Sequence, residues 1–309
     1  MELALVAVRA LQFGSAMILL GAPILRLGLG SAFESASSAR DEFDRWLRRF
    51  LRIAAIVTLL SALLWLDLEA VIMGDGWEEA VDGETIASVL LETTFGHAWI
   101  WHLAFAGLLT LTLLLPPRPM SRHRTATIAG LSAGLVASLA WAGHAVMQPG
   151  VTRLTVQVIH LLAAGLWLGS LPILLFLLGR ARRDNDRDWR DALRQLLPRY
   201  SRVGYVVVAT ILLTGSLNTS FLVGSPAALV TTEYGHVLLV KVGIVLLMVL
   251  VAGINRLRLV PDIRRSRSEA EATPTIAALA RNVAVEQALG ALAILAVSVL
   301  GTLPPALAP

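Results

Sequence analysis

The sequence predicts an all-α, polytopic membrane protein with eight transmembrane helices, and three observations predict it. Of 309 residues, 56% are apolar and only 16% charged, with a mean hydropathy of +0.71, too apolar for an ordinary soluble domain. A helical span needs about 20 apolar residues, and the apolar runs supply eight such stretches joined by short connections. Basic residues cluster in every second connection, where 23 of the 26 fall.

The first run, 3–25, follows Met1-Glu2 and is interrupted by Arg9, so it reads as a retained helix and not as a cleaved leader. The second, 50–73, comes after the connection 26–52 with six Arg. The third, 95–115, follows an acidic stretch, and the fourth, 126–147, follows three Arg in 116–124. Only a few residues separate the fourth from the fifth, 154–179, which forces the two to be antiparallel neighbours. The sixth, 200–223, follows eight Arg in 180–202. The seventh spans 236–256, and the eighth, 281–302, follows six Arg in 256–281. Basic connections stay in the cytoplasm, so both termini are expected to be periplasmic.

The same bias accounts for the net charge of +4 and pI of 10.3, and nucleic acid is excluded as a partner. Membrane lipid is the expected surroundings. Cysteine is absent, which excludes disulfides, thiolate metal sites and a cysteine nucleophile. A metal would have to be held by His, Met, carboxylate or backbone oxygen. No nucleotide-binding motif is present, so direct ATP-driven pumping is not expected, and the chain does not read as an enzyme. The stretch Asp75–Glu92 carries six acidic and no basic residues; it reads as a solvated loop or as a surface that attracts cations or a partner.

Short matches recur at about half the chain length. Arg49-Phe50-Leu51-Arg52 corresponds to Arg199-Tyr200-Ser201-Arg202, and Thr94-Phe95-Gly96-His97 to Glu233-Tyr234-Gly235-His236. His102 then falls opposite Lys241, and Arg9 and Gly14 fall opposite His160 and Gly165. The expected organisation is two parallel four-helix repeats, 1–147 and 154–309, with a natural site at their interface.

Five of the six histidines fall in the outer half of the membrane; only His123 is cytoplasmic. His97 and His236 open their helices, His102 lies ~7 Å further in than His97, and His160 lies ~10 Å in from Arg153. His144 closes the fourth helix with Met147 on the same face. Intramembrane imidazole is costly unless paired, hydrated or ligating. Imidazole with thioether and no thiolate favours copper, which makes His144 and His160 the leading metal ligands, assisted by His97, His102 or Met147. The inward path is poorly marked: Met17 and Met248 lie at mid-depth, where packing is the more ordinary role of methionine. Arg9 can pair with Asp67. Lys241, the only lysine, points away from a metal, pairs with a carboxylate, or regulates occupancy. Asn218, Glu286 and Gln287 are weaker candidates that suit interhelical hydrogen bonds.

Trp141-Ala142-Gly143-His144-Ala145, the run from His160 to Leu171, Arg199-Tyr200-Ser201-Arg202, Tyr234-Gly235-His236 through Lys241, and Asn255-Arg256-Leu257-Arg258-Leu259 stand in that order. Together they resemble the copper-resistance D (CopD/PcoD-like) family of bacterial inner-membrane proteins, most strongly over 141–261. The resemblance implies a multi-pass protein of the cytoplasmic membrane in copper homeostasis. It also implies inward movement of copper from a periplasmic copper-binding partner of the CopC type, with His144 and His160 as the matching metal positions. A rival reading is a haem b electron-transfer protein with two of His102, His144 and His160 as axial ligands. A third is a membrane scaffold or sensor for the periplasmic partner.

Overall fold

A computed structural model of the chain describes residues 1–29, 37–74, 76–115, 120–142, 150–182, 187–266 and 268–306. The helices are α1 (Glu2–Leu29), α2 (Ser37–Gly74), α3 (Gly83–Glu92), α4 (Thr94–Leu114), α5 (Arg122–Ser138), α6 (Val151–Ala181), α7 (Arg187–Val223), α8 (Ala228–Thr231), α9 (Glu233–Ile254), α10 (Val260–Arg265) and α11 (Glu269–Leu300). A 3₁₀ turn, Leu139–Ala142, prolongs α5, and a π-turn, Asn255–Leu259, joins α9 to α10. Eight of these helical stretches are long and apolar enough to cross a membrane, as the sequence predicts.

Several helices begin where a hydroxyl satisfies otherwise orphaned backbone donors. Thr93 accepts from Gly96 N–H at the start of α4, Thr232 from Gly235 N–H at the start of α9, and Ser121 from Arg124 N–H at the start of α5. The correspondence noted in the sequence extends to the next bond. His97 Nε2 donates to Leu91 O at 2.8 Å and His236 Nε2 to Val230 O at 2.9 Å, each tying the helix to the short one before it.

Helices α1, α2, α4 and α5 pack in a closed ring, each against the next. Among the last four spans, α6 packs on α7 and α11, and α11 on α9, but α7 and α9 have no comparable contact, which leaves that ring open. The two groups meet where α1 crosses α6 at Gly21 and Gly169. A Cβ on Gly169 would lie 1.8 Å from Met17 O, and one on Gly21 2.4 Å from the Gly169 carbonyl carbon, so only glycine lets these backbones approach.

Helices α2, α7 and α11 start well before the apolar runs 50–73, 200–223 and 281–302. Their polar first turns are invisible to hydropathy but carry an apolar stripe that packs together at the inner end. Phe43 and Trp189 are buried there, with Trp46 stacked on Phe176 at 3.9 Å. Arg26 on α1 donates through Nε and Nη2 to both carboxylate oxygens of Asp44 on α2, at 2.7 and 3.1 Å. A bidentate, largely buried pair of this kind fixes the α1–α2 turn geometrically. Within Asp75–Glu92, expected to be a loop, the described part contains a 3₁₀ turn and α3, which packs on α2 and α4.

Candidate functional site

Among the described histidines the most buried is His102 on α4, which is 0% exposed and closes the first ring from within. Ser138 on α5 donates its hydroxyl proton to Leu135 O at 2.7 Å, so it accepts from His102 Nδ1–H at 2.8 Å. That leaves His102 Nε2 as the acceptor, and Gln12 Nε2 on α1 donates to it at 2.6 Å. Gln12 Oε1 in turn accepts from Ser61 on α2 at 2.5 Å. Every helix of the ring contributes to one network, and both ring nitrogens of His102 are used. An ion could bind there only by breaking one of these bonds.

His160 on α6 is arranged differently. Thr214 on α7 gives its hydroxyl proton to Thr210 O at 2.6 Å and so accepts from His160 Nδ1–H at 2.9 Å. This fixes the neutral tautomer whose Nε2 carries the lone pair, and no described residue hydrogen-bonds that nitrogen. An imidazole oriented through one nitrogen with the other open is the arrangement of metal-ligating histidines.

His160 lines a cavity of about 550 Å³ between α6, α7, α9 and α11, backed by Arg9, Phe13 and Met17 of α1. The two mid-depth methionines, Met17 and Met248, both line it. So do Gln157 and Asn218, which bond to each other at 2.8 Å. Lys241 lines it too, and among the described residues it pairs with no carboxylate. The Arg9–Asp67 pair does not form. Arg9 stacks instead on Trp65, its guanidinium carbon 4.6 Å from the ring centroid, with Glu69 the carboxylate whose charge it feels. Trp65 and Glu69 are four residues apart and share a face of α2, joined by a 2.9 Å hydrogen bond, whereas Asp67 points away from it.

His144 and Met147 lie outside the described residues. His97 spends Nε2 on Leu91 O and sits apart from the cavity lining, as His236 does on Val230 O. Among the described residues no three His, Asp or Glu side chains gather into a metal-binding group.

Sequence reasoning underrated a second buried network below the cavity. Trp167, on the cavity wall, donates to Glu286 Oε2 at 3.3 Å, and Asn255 donates to Oε1 at 2.6 Å. Asn282 donates to Asn255 Oδ1 at 2.8 Å. Asn255 opens the π-turn, where the extra residue rotates it toward α11. The available signal was Asn255 beside a carboxylate in the eighth run; the helix rotation that joins them is not written in hydropathy. At the end of the bundle where α3 lies, Glu78, Glu79, Asp82 and Glu84 gather around it. The backbone N–H of Thr85, 2.8 Å from Asp82, and then the Thr85 hydroxyl hold the Asp82 carboxyl below its ordinary range.

Eight apolar helices around intramembrane polar centres define a multi-pass membrane protein. Residues 1–155 match the family described as copper resistance protein D-like, N-terminal domain, and residues 194–300 match copper resistance protein D. The chain belongs to the copper-resistance D family. It is 33% identical to the inner membrane protein YebZ of Escherichia coli, over 97% of this chain and 98% of that protein. It is 29% identical to copper resistance protein D of Pseudomonas syringae, over 97% and 96%. To the copper transport protein CutJ of Bacillus subtilis it is 29% identical over 75% of this chain and 44% of that longer protein. Among solved structures it is similar to the bd oxidase of Geobacillus thermodenitrificans, with a TM-score of 0.56 and 12% identity, over 96% of this chain and 85% of that one, a likeness of fold alone. The family expected from the motifs is thus the one found. The relatives' names concern copper or the membrane and lend haem no support.

Proposed function

We propose that the protein takes copper at the outer face and carries it inward across the inner membrane, with His160 as the first ligand in the cavity. The observation that carries this reading is the open Nε2 of His160, oriented by Thr214 on the wall of a membrane-embedded cavity that also presents two thioethers. His144 and Met147, a few residues before α6 in the sequence, supply the remaining ligands. Met17 and Met248 continue the path, since thioether suits Cu(I). His102 holds structure, because both its ring nitrogens are engaged, and His97 ties its helix to Leu91 O away from the cavity lining. A periplasmic copper-binding partner delivers the ion, and the acidic patch around α3 is the surface nearest in character to a docking site for it. We read the first and last four spans as copies of one unit, on the strength of the shared Thr93–His97 and Thr232–His236 hydrogen bonds.

The test is copper uptake into proteoliposomes together with metal analysis of the purified protein. His160→Ala and His144→Ala each abolish uptake and lower bound copper, while His97→Ala leaves both near the wild-type level. Uptake that survives both substitutions would send the pathway elsewhere and favour a scaffold or sensor.

A further inference from the structure

We infer that the cavity between α6, α7, α9 and α11 holds the headgroup of an anionic phospholipid, its acyl chain leaving between α7 and α9. Arg9, Arg153 and Lys241, on three different helices, line this cavity, and no carboxylate lines it among the described residues. A buried cation in hydrocarbon needs a partner. Arg9, only 6% exposed, stacks on Trp65 near Glu69, but its Nε has no hydrogen-bond partner and the residue lines the cavity. Lys241 makes no ion pair and no hydrogen bond with any described residue. Three cations facing one space ask for an anion with several acceptor oxygens, which phosphate supplies.

The remaining wall decides that the anion is an amphiphile. Beyond the polar end the lining is aliphatic, and the space opens sideways through the unpacked gap between α7 and α9. Leu212 on one side of that gap is 40% exposed, and Leu239, Val242 and Leu246 on the other are 42%, 40% and 51% exposed. Exposed apolar side chains on a spanning helix face acyl chains, so the slot connects the cations to the bilayer. The volume of about 550 Å³ fits a headgroup and the first part of one chain. In the first ring the corresponding helices α2 and α4 are packed together, so the slot belongs to this half alone.

The reading does not rest on copper, and its test contains none. The full chain is purified in mild detergent, reconstituted with phosphatidylglycerol or phosphatidylcholine, and examined by native mass spectrometry. One phosphatidylglycerol stays bound under conditions that strip phosphatidylcholine. Lys241→Met and Arg153→Gln each lower its retention about fivefold, while Arg258→Gln, away from the cavity, leaves it unchanged. Thermal unfolding of each variant in lipid-free detergent shows whether it is folded. Equal retention of the two lipids would overturn the proposal. So would retention indifferent to both cavity substitutions, a bound neutral quinone in place of the lipid, or stabilisation by inorganic phosphate as strong as by phosphatidylglycerol.

Discussion

Replacing Gly169 by alanine tests whether the α1–α6 crossing sets the geometry of the cavity. The added Cβ would begin 1.8 Å from Met17 O, 2.5 Å from Met17 C and 3.0 Å from Gly21 N, all backbone atoms that no rotamer change can move. A carbon and a carbonyl oxygen come to rest at about 3.3 Å, so the two helices must separate by about 1.5 Å at this point. Overpacking of this kind costs about 3 kcal/mol where the neighbours cannot yield, offset by about 1 kcal/mol of helix propensity, for a net loss of about 2 kcal/mol. The structure provides its own control in Gly243 on α9, exposed, with nothing within 4 Å of its added Cβ. There only the propensity gain remains. Unfolding of both variants in one detergent, followed by tryptophan fluorescence, should therefore separate them by about 3 kcal/mol. Because Met17 lines the cavity opposite His160, Gly169→Ala also slows copper uptake per folded molecule, and Gly243→Ala does not. Equal stabilities would refute the claim that bare backbone contact holds α1 against α6.

His102→Ala strands the Gln12 amide and the Ser138 hydroxyl and opens a void, a loss of about 3–5 kcal/mol; copper uptake normalised to folded protein should stay the same, and a selective loss of uptake would return His102 to the ligand set. Thr214→Val keeps the shape but removes the acceptor that orients His160, so copper affinity measured by competition with a chelator should fall 10- to 100-fold, with little change in melting temperature. At the outer face, Asp82 has a folded-state carboxyl below its unfolded value, so its support for the first turn of α3 is complete above the unfolded value and is lost as pH falls through the folded one. Amide exchange at Thr85 should accelerate in that acid window in the wild type and already be fast near neutral pH in Asp82→Ala.

The spans and the family could be read from the sequence because both are written in composition: apolar length defines a span, and order of motifs defines the family. The inner ends could not, because Phe43, Trp46 and Trp189 stand among arginines and their shared stripe emerges only once α2 and α7 are helical and adjacent. His160 was identified from its depth, but its partner Thr214 lies on another helix, whose rotation hydropathy leaves free. Arg9 was given Asp67 because both lie in outer parts of neighbouring spans; the two-residue offset from Trp65 turns that carboxylate away, and the ring takes its place. Asn255 and Glu286 were legible only as polar letters, since the π-turn that aligns them has no mark in periodicity.

One pair of positions explains why the two rings differ. The same threonine-capped start with its carbonyl-bound histidine opens α4 and α9, and five residues beyond that histidine stand His102 in one and Lys241 in the other. A neutral imidazole has one donor and one acceptor, and Ser138 and Gln12 satisfy both without leaving a charge, so α4 can lie against α2 with a dry, complete polar core. An ammonium has three donors, no acceptor and a charge to neutralise. With no carboxylate in the cavity wall among the described residues, α9 could close on α7 only by burying that charge alone, a cost far above what the added apolar contact returns. The gap therefore persists and the cavity with it. That is why His160, in the open half, presents a free lone pair to the cavity, while the more deeply buried His102 is spent on holding its own ring shut.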